Sequence, residues 1–459
     1  MEQIADVVSC NPDYPPEVLV YTPATSWDGV VRTVERARVA AREWWHSGAT
    51  HRAAALHAAA ERVEEARDIL IDLISREVGK PSAEARGEVA RAVAILRYYA
   101  QQPYDPIGAV HEPAQGRGML LTRRSPHGVA GLITPWNFPL AIPVWKAAPA
   151  LAAGNAVVLK PAPPATACAL ELAPLLAEVL PEGLFTVVPG HAETGAALVE
   201  SADVVSFTGS TAVGRAVVQA ATASGTPVQA EMGGQNAAIV MPDAEIDETA
   251  TQIAGAIAGY AGQKCTATKR VIVVGDPAPL RGALVEALKS IEVGPPAAAG
   301  TVCGPVISAQ ARAAVLESVA GARVLAGGFE LGSRQGWYIA PTLVDELDDG
   351  HPLLRNEIFG PVAALVAVPD LDSALAAANG VVQGLVSSVH TSSLGTALRC
   401  ADELDTGLIK VNAPTTGVDF HVPFGGEKES SHGSREQGKA GMDFFTRTRT
   451  ITLRQSTAV

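Results

Sequence analysis

The chain has few of the residues that build disulfide scaffolds or metal sites. Only five cysteines occur among 459 residues, an odd number, and no two of them form a Cys-x-x-Cys pair. Dense even sets of cysteines build disulfide frameworks, and closely spaced pairs are typical of zinc sites. The sequence therefore predicts neither, and it favours a protein of a reducing compartment, expected to be the cytoplasm. The cysteines are Cys10, Cys168, Cys265, Cys303 and Cys400.

A long uninterrupted apolar run is also missing. The most apolar window, 141–159, is interrupted by Pro143, Lys146, Pro149 and Gly154. A helix that crosses a bilayer needs about 20 largely apolar residues. The N-terminal residues MEQIADVVSC lack the basic-then-apolar order of a secretory signal. We therefore expect no membrane-spanning segment.

Positive charge is scarce. Forty-eight acidic residues against 35 basic residues leave a formal net charge of −13. Proteins that bind nucleic acid or anionic lipid do so mainly by neutralising phosphates with Lys and Arg. The charge balance therefore argues against both kinds of partner. The length predicts two or three domains, at about 100–200 residues per domain.

The order of helical and β-rich segments predicts a helical region followed by two α/β lobes. In the first hundred residues, we expect Asp28 and Thr50 to cap two helices and a third helix to run from about Pro81 to Tyr99. From about Val129, five β-rich runs alternate with helical windows, and a second series of five follows Glu231. Such alternation indicates parallel sheets covered on both faces. The runs are GVAGLI, NAVVLK, LFTVV, ADVVSF and PVQAEM, then NAAIVM, RVIVV, AALVAV, LVSSV and GLIKV.

Two further stretches, near residues 109–125 and at 446–454, alternate polar with apolar residues. This alternation is typical of half-exposed strands. A hairpin and an edge that pairs with another subunit both fit the pattern, and periodicity alone does not distinguish them.

Three motifs in the first series place polar groups at the ends of predicted strands. FTGS (207–210) lies between a strand and a helix, where backbone N–H groups can face a phosphate, but the G-x-G-x-x-G spacing is absent. Lys160 ends an apolar strand, where ligands gather in α/β sheets, unless it simply reaches solvent. Asn137 lies between Pro135 and Pro139, and its amide is either a donor to a developing oxyanion or a partner within its own turn.

The second series adds a candidate nucleophile and a candidate base. Cys265 follows Lys264 in GQKCTA, and a nearby cation favours the reactive thiolate. The alternative is an inert buried cysteine. Glu231, in EMGGQN, is a general base if it lies near this thiol, and otherwise an ordinary glutamate at a strand end. The motifs NEIFGP and VPFGGEKESSHGSREQG add Glu357, Phe359, Phe424 and Glu436.

Together these motifs resemble those of the aldehyde dehydrogenase superfamily, over about residues 20–455. The resemblance implies an α/β fold with a Rossmann-type lobe for a nicotinamide dinucleotide, a catalytic α/β lobe, and a small β hairpin that joins subunits into homodimers or homotetramers. The implied boundaries are 1–108 and 128–231 for the cofactor lobe, 232–445 for the catalytic lobe, and 109–127 with 446–459 for the oligomerisation segments.

The resemblance also implies a reaction. Cys265 matches the nucleophile that attacks an aldehyde, Asn137 and the Cys265 backbone N–H match the oxyanion hole, and Glu231 matches the base that activates water to hydrolyse a thioester. Lys146 and Glu436 correspond to an auxiliary proton relay. The positions that match those around NAD or NADP are Thr134, Trp136, Lys160, Gly209, Ser210, Glu357 and Phe359.

One position departs from the pattern of many NAD-preferring members. They carry a glutamate three residues after the lysine that corresponds to Lys160, where it binds the ribose 2′-hydroxyl. Here Pro163 takes that place. Its absence removes a hydrogen bond to NAD and a charge that repels the 2′-phosphate of NADP. The preference between the two coenzymes stays open.

Within the superfamily, GVDFHVPFGGEKESSHGSREQG resembles the signature of α-ketoglutarate semialdehyde (2,5-dioxopentanoate) dehydrogenases. A substrate that carries a carboxylate needs a cation at the far end of its tunnel, and Lys264, Arg270 and His421 are candidates. The positions that match the substrate tunnel are Phe138, Ile142, Trp145, Thr266, Phe420 and Phe424.

Other functions are compatible with parts of the pattern. Succinate semialdehyde or a broad range of aliphatic and aromatic aldehydes are alternative substrates. Transfer of the acyl group to coenzyme A is disfavoured, because members with that activity commonly lack the glutamate that Glu231 matches. A cysteine hydrolase, or a catalytically silent structural or binding protein on the same fold, is an answer of a different class.

Overall fold

The N-terminal part of the chain forms a short hairpin and then a series of helices, in a computed structural model that describes residues 5–332 and 334–454. The hairpin differs from the expected purely helical start, because its strands are short and largely exposed and so carry no clear periodicity. The elements are β1 (Asp6–Cys10), β2 (Val18–Pro23), α1 (Trp27–His46), α2 (Ala49–Glu65), α3 (Arg67–Val78), α4 (Ser82–Tyr99), a 3-10 turn (Gln102–Tyr104), β3 (Gly108–His111) and β4 (Met119–Pro126).

The predicted capping residues of the first two helices are wrong by two positions. Ser26 caps α1, because its hydroxyl oxygen accepts a hydrogen bond from the backbone N–H of Gly29 at 3.2 Å, and Asp28 lies inside the first turn. Gly48, not Thr50, precedes α2. The segment predicted as the second helix is divided into α2 and α3 at Ala66. The helix predicted from about Pro81 to Tyr99 is α4, which begins directly after Pro81 and ends at Tyr99, as expected.

The segment from Val129 to Glu231 alternates strands and helices, as the sequence predicts. It contains β5 (Val129–Thr134), α5 (Ala141–Ala152), β6 (Ala156–Pro161), a 3-10 turn (Pro163–Ala165), α6 (Thr166–Ala177), β7 (Phe185–Val187), α7 (Ala192–Ser201), β8 (Val204–Thr208), α8 (Thr211–Ala223) and β9 (Val228–Glu231). Every residue of β5, β6, β8 and β9 is buried, as expected for parallel strands with helices on both faces.

The remaining segment repeats this alternation and adds short strands that have no sequence signal. It contains β10 (Ala237–Val240), α9 (Ile246–Ala258), a 3-10 turn (Gly259–Gly262), β11 (Arg270–Val274), α10 (Ala278–Lys289), α11 (Ala309–Ser318), β12 (Arg323–Ala326), β13 (Thr342–Asp345), α12 (Pro352–Arg355), β14 (Val362–Val368), α13 (Leu371–Asn379), β15 (Gln383–Gly384), β16 (Val386–His390), α14 (Leu394–Glu403), β17 (Leu408–Val411), β18 (Glu427–Lys428), β19 (Ser431–His432), α15 (Gly438–Phe444) and β20 (Thr446–Leu453).

The first sheet, within the described residues, has the strand order β19-β9-β8-β5-β6-β7. Its strands are parallel except for β19, which runs antiparallel to β9 and aligns Ser431 with Glu231. The chain therefore returns from its C-terminal part to the edge of the first sheet. The predicted domain boundary assigns all of 232–445 to the catalytic lobe, so it does not account for the pairing of β19 with the first sheet.

The second sheet, in the same described part of the chain, has the order β12-β13-β14-β11-β10-β16-β17 and is parallel except for β12. Separate apolar clusters cover its two faces, one beneath α9 and α10 and the other beneath α13 and α14. The largest cluster joins α1–α6 to the first sheet. Among the helices described, none is long and apolar enough to cross a membrane.

The two alternating stretches pair with each other inside the chain. β4 lies between β20 and β3 in an antiparallel sheet, with Thr446 opposite Pro126 and Leu453 opposite Met119. Several of its apolar side chains face outward, including Val110, which is 73% exposed. Residues 455–459, the end of the predicted oligomerisation segment, lie outside the described residues.

A buried ion pair connects α4 to the loop before α5. The Lys80 ammonium contacts the Glu88 carboxylate, and both side chains are fully buried. The other Glu88 oxygen accepts hydrogen bonds from the backbone N–H groups of residues 140 and 141, at 3.0 and 2.9 Å. Lys80 Nζ also lies 3.7 Å from the centroid of the Phe138 ring and 4.6 Å from that of Tyr260. The pair therefore connects the loop before α4 with the segment that carries Phe138 and with the turn that carries Tyr260.

We expect Glu88→Gln to destabilise the protein strongly, because it leaves the buried Lys80 ammonium without its counter-charge. Breaking one side of a buried pair costs about 3–5 kcal/mol of unfolding free energy. Urea unfolding followed by circular dichroism measures the change. The matched control is Glu64→Gln, which breaks the half-exposed pair of Glu64 with Arg97 and should cost less than about 1 kcal/mol. Equal losses in the two variants would contradict the prediction.

Candidate active site

Cys265 lies in the loop between the 3-10 turn and β11, and it is partly exposed. The side-chain amide of Asn236, at the start of β10, donates hydrogen bonds to the backbone oxygens of Cys265 and Ala267 at 2.7 and 2.8 Å. A buried amide that bridges two carbonyl groups fixes the path of the loop. The sulfur therefore lies on a loop that is held in place ahead of the core strand β11.

The turn before Cys265 has strained backbone. Tyr260 and Ala261 have φ of 53° and 52°, a left-handed conformation that costs about 1–3 kcal/mol for each residue other than glycine. Gly262 continues it with φ of 64°, and a Cβ there would overlap the carbonyl oxygen of Gly360. The Tyr260 hydroxyl donates to the Val78 oxygen at 3.0 Å. The surrounding packing thus holds a turn that the local sequence does not favour.

Asn137 is 4% exposed and lies directly against the Cys265 loop. Its Nδ2 donates to the backbone oxygen of Gln263 at 3.0 Å. Gln263 is itself fixed, because its side chain donates to the Pro305 oxygen at 3.2 Å and accepts from the Ile307 N–H at 2.8 Å. The amide predicted as an oxyanion donor therefore contacts the backbone two residues before Cys265. The residue that it contacts is itself held in place by hydrogen bonds.

Glu231 ends β9 and is 2% exposed. One of its oxygens accepts a hydrogen bond from Ser431 on β19, and among the described residues Oε1 has no hydrogen-bond partner. Burial raises the pKa of Glu231 well above its ordinary value, and the nearby charge of Glu436 raises it further. A raised pKa makes the carboxylate a stronger base than an ordinary glutamate, which suits proton removal.

Lys146 and Glu436 form a second buried ion pair beside Glu231. Lys146 Nζ also donates to Ser206 Oγ at 2.7 Å and to the Phe207 oxygen at 3.3 Å. The other carboxyl oxygen of Glu436 has no hydrogen-bond partner in the part of the chain that the structure describes. This arrangement brings the two residues predicted as a proton relay together, next to the predicted base.

Burial, together with the smaller effect of the charges of Glu357, Glu231 and Glu436, raises the pKa of the Cys265 thiol to about 12. The expected effect of Lys264 is therefore wrong. Its ammonium pairs with Glu84 at 2.8 Å, which neutralises the charge that would favour a thiolate. At neutral pH the thiol is protonated in this state, and a base must remove the proton when it reacts.

Glu357 lies close enough to the thiol for its charge to act on it, and it accepts a backbone hydrogen bond from Gly234. Burial raises its pKa to about 7, while the Lys269 ammonium opposes this rise. A Cβ on Gly233 would overlap the Glu357 carboxylate, so only glycine permits this approach. The Phe359 ring, two residues later, packs edge to face on Trp136 with centroids 5.5 Å apart.

The residues predicted to cradle a dinucleotide lie at the carboxyl ends of β5, β6 and β8. Thr134 ends β5, Lys160 is the second-last residue of β6, and Gly209 follows β8. Ser210 caps α8, whose N-terminal N–H groups face the same edge of the sheet. Within the described residues, the buried oxygens Thr134 Oγ1, Thr208 Oγ1 and Glu357 Oε1 have no hydrogen-bond partner. Polar atoms buried without partners fit a site that a polar ligand completes.

The residues predicted for the substrate come from three segments of the chain. Three of them come from the segment after Asn137, which continues into α5, one follows Cys265, and two lie in the segment after β17. The Trp145 and Phe424 rings lie 5.8 Å apart, and Phe420 packs on Tyr98 at the same distance. The six residues are Phe138, Ile142, Trp145, Thr266, Phe420 and Phe424.

The three cations proposed for a substrate carboxylate differ in their contacts. Arg270 is 4% exposed and donates to the backbone oxygens of Gln235, Ala377 and Ala378, so it is a structural residue of the second sheet. Lys264 is paired with Glu84, as described above. His421 is exposed and packs edge to face on Phe420.

Ser431 and Glu88 are site-supporting residues that sequence reasoning missed. Ser431 contacts Glu231 across 200 residues of sequence, through a strand of two residues. Glu88 has no local signal beyond its place in an amphipathic helix. The one available indication of its role was that a charged residue lies on the buried side of α4. Charged residues are rarely buried without a partner, so this position predicts a buried partner.

A sequence profile of the Aldehyde dehydrogenase family matches residues 2–451. The chain belongs to the aldehyde dehydrogenase family. It is therefore an NAD(P)-dependent oxidoreductase that acts on aldehydes, and the predicted family and class of fold are confirmed.

Relatives of this aldehyde dehydrogenase match over nearly the whole chain. The alpha-ketoglutaric semialdehyde dehydrogenase of Bacillus subtilis is 38% identical over 463 residues, which cover 98% of this chain and 95% of the relative. The alpha-ketoglutarate semialdehyde dehydrogenase of Haloferax volcanii is 40% identical over 458 residues, with coverage of 96% and 94%. The crystal structure of an NAD-dependent aldehyde dehydrogenase from Sinorhizobium meliloti is 31% identical, with a TM-score of 0.94 and coverage of 98% and 92%.

We expect alkylation of Cys265 by iodoacetamide to accelerate about tenfold per pH unit between pH 7 and 9, because the thiolate fraction rises in that proportion below a pKa of about 12. Mass spectrometry of the peptide that contains Cys265 gives the rate. Glu357→Gln should increase the rate at pH 8, because it removes a negative charge that raises the thiol pKa. The matched control, Glu330→Gln at the surface, should leave the rate unchanged. A rate that is constant above pH 7 would contradict this assignment.

Proposed function

We propose that this aldehyde dehydrogenase oxidises a semialdehyde with a distal carboxylate, such as α-ketoglutarate semialdehyde, to the corresponding dicarboxylate. Two observations support the reaction: Asn137 donates to the backbone two residues before Cys265, and the Glu231 charge acts on the Cys265 thiol. The relatives named for α-ketoglutarate semialdehyde, at 38% and 40% identity over nearly the full length, support the substrate.

In the first step, the Cys265 sulfur attacks the aldehyde carbon and a C–S bond forms as the carbonyl π bond breaks. The negative charge that develops on the oxygen is stabilised by the Asn137 amide and the Cys265 backbone N–H. Asn137 Nδ2 donates to Gln263 in the present structure, and its second N–H is available to the oxyanion. The thiol proton leaves to a nearby carboxylate, for which Glu231 and Glu357 are both placed.

A nicotinamide coenzyme held beside Glu357 and Phe359 would accept the hydride from the substrate carbon. Cys265 then holds an acyl group as a thioester. Glu231 removes a proton from water, the oxygen bonds to the acyl carbon, and the C–S bond breaks to release the carboxylate product. Lys146 and Glu436 are placed to pass that proton onward, because they form a buried pair next to Glu231.

For the coenzyme, we propose that Lys160 binds the adenosine ribose, that Ser210 and Gly209 bind the pyrophosphate beside Trp136 and Thr134, and that Glu357 binds the nicotinamide ribose next to Phe359. The unpartnered buried oxygens at this sheet edge support the assignment. Burial lowers the pKa of Lys160 to about 8, so a polar partner favours its charged form. Pro163 begins the 3-10 turn after β6 and offers no carboxylate to a ribose, which is compatible with both NAD and NADP.

We assign residues 1–108 and 128–231 to coenzyme binding, 232–445 to catalysis, and 109–127 with 446–459 to contact between subunits. The pairing of β4 with β20 and the outward-facing Val110 support a homodimer or homotetramer built on this small sheet. The strand β19 belongs to the first sheet by its hydrogen bonds, so the C-terminal segment of the catalytic domain completes the cofactor domain.

The alternatives differ in substrate and in acyl acceptor. Phe138, Trp145, Phe420 and Phe424 give the tunnel apolar walls, which favours neutral aliphatic or aromatic aldehydes as a second candidate class. Glu231 favours water over coenzyme A as acceptor. The cofactor cradle beside the thiol argues against a simple hydrolase, and the complete site argues against a silent protein.

A panel of aldehydes with NAD and with NADP, followed by absorbance of the reduced coenzyme, tests the proposed substrate. We expect α-ketoglutarate semialdehyde to have the highest kcat/KM, followed by succinate semialdehyde, with neutral aldehydes of equal length at least tenfold lower. The physical reason is that a site with a cation for the carboxylate gains a charge-assisted hydrogen bond, worth about 1.5–3 kcal/mol. Higher kcat/KM for neutral aldehydes would overturn the substrate class and leave the aldehyde oxidation intact.

We expect Glu231→Gln to produce one rapid burst of reduced coenzyme, followed by turnover at least about 100-fold slower, because the thioester forms but lacks its base. Stopped-flow absorbance measures both phases. Cys265→Ala should lose the burst as well, while coenzyme binding measured by fluorescence persists. The control Glu403→Gln, at the surface, should behave as the unmodified enzyme. Normal steady-state turnover of Glu231→Gln would remove Glu231 from the hydrolytic step.

A further inference from the structure

One stripe of α4 runs along the opening of the proposed substrate site. Residues 84, 88, 91, 95 and 98 share a helix face, because successive spacings of four and three residues return to the same side. Contacts at both ends of the stripe fix its orientation. Glu84 pairs with Lys264 beside the nucleophile, and Tyr98 packs on Phe420 with ring centroids 5.8 Å apart. Arg91 therefore lies between these two contacts, on the same face of α4.

The charge of Arg91 is not neutralised by a local partner. Its side chain is partly buried, and among residues 5–332 and 334–454 no carboxylate forms an ion pair with it. By contrast, Arg97 on the outer side of the same helix pairs with Glu64. A guanidinium that is held near the mouth of an apolar tunnel without a counter-charge is ready to bind an anion.

A second cation, Lys410, lies within electrostatic range of Arg91. Lys410 is a partly buried residue of β17, and its Nζ donates to the backbone oxygens of Thr416, at 2.6 Å, and of Gly417, which leaves one of its three N–H groups for an anion. Burial lowers the pKa of Lys410, the charge of the exposed Asp419 opposes this, and the charge of Arg91 lowers the pKa.

Lys410 holds a segment that contacts both α4 and the Cys265 loop. The segment that it holds by its hydrogen bonds continues to Phe420, which packs on Tyr98 of α4. Thr415 in that segment forms a hydroxyl–hydroxyl hydrogen bond at 2.8 Å with Thr268, three residues after Cys265. The elements that carry Arg91 and Lys410 therefore contact each other, and each contacts the loop of the nucleophile.

We propose that Arg91, assisted by Lys410, binds the distal carboxylate of the substrate and so selects anionic semialdehydes over neutral aldehydes. This inference rests on the proposed function and identifies the specificity-determining residues of that site. A guanidinium can hold a carboxylate through two parallel N–H···O bonds, and the anion relieves the repulsion between the two cations. Lys264 is engaged by Glu84 and Arg270 by backbone oxygens, so neither is free for this role.

The test compares Arg91→Ala, Arg91→Lys and Lys410→Met with the unmodified enzyme. The substrates are α-ketoglutarate semialdehyde and a neutral aldehyde of the same chain length, pentanal. For Arg91→Ala we expect kcat/KM to fall about 10- to 100-fold with the anionic substrate, mainly through KM, and to change less than about threefold with pentanal. Arg91→Lys should recover part of the loss, because it keeps the charge but not the two parallel bonds. Lys410→Met should give a smaller loss of the same kind.

Arg86→Ala is the matched control. It removes an exposed cation from the same helix, but five residues from Arg91 and so about 140° away around the helix axis. Both kcat/KM values should stay within about twofold. Calorimetric titration with the dicarboxylate product, α-ketoglutarate, gives an independent readout, and its affinity should fall in Arg91→Ala by about the same factor as the anionic substrate.

The outcomes separate this inference from the proposed function. If the unmodified enzyme prefers pentanal, the proposed substrate class fails. If the unmodified enzyme prefers the anionic aldehyde and Arg91→Ala keeps that preference, the substrate class stands and the assignment of Arg91 is overturned. An equal loss with both substrates would also overturn it, since Arg91 would then support the structure of the tunnel rather than recognise charge.

Discussion

The electrostatic position of the Cys265 sulfur, which is surrounded by buried carboxyl groups, constrains the rest of the site. Glu357, Glu231 and Glu436 all act on the thiol pKa in the direction that opposes ionisation. Each carboxyl group therefore needs a partner that stabilises it. Lys269 faces Glu357 and Lys146 pairs with Glu436, whereas Glu231 has, among the described residues, only a hydrogen bond from the neutral Ser431 hydroxyl. A resting thiol protected in this way is unreactive towards oxidants, because the thiolate is the reactive form.

The proposed site must be held rigidly, because small shifts of the backbone would change which carboxyl group lies near enough to Cys265 to accept its proton. The backbone before Cys265 adopts left-handed conformations at Tyr260 and Ala261 that are unfavourable in isolation. The Lys80–Glu88 pair opposes that tendency, because Lys80 stacks on Tyr260 while Glu88 caps α5. One helix of the N-terminal region thereby positions the loops of both Asn137 and Cys265. That region is more than a scaffold, although nothing in its composition indicates so.

Sequence reasoning found the elements whose signal is local and missed those that depend on distant contacts. The strands β5, β6 and β8 are apolar throughout because both of their faces are buried, so they are recognisable without a structure. The motifs around Asn137, Glu231 and Cys265 are similarly self-contained. By contrast, β19 has two residues, and its pairing with β9 spans 200 positions. The direction in which the Arg270 side chain points could not be predicted from the sequence either, because it depends on the register of β11 in the second sheet.

The overall charge of the chain makes a local cationic subsite necessary if the substrate is an anion. A net charge of −13 opposes the approach of a carboxylate at long range. At physiological salt the Debye length is about 8 Å, so the potential that the substrate meets in the tunnel depends on the few charges near the walls. Partly buried cations such as Arg91 and Lys410 are screened less than surface charges, and two of them can outweigh many distant acids. Selectivity for an anion in an acidic protein therefore depends on where its bases lie, and not on how many it has.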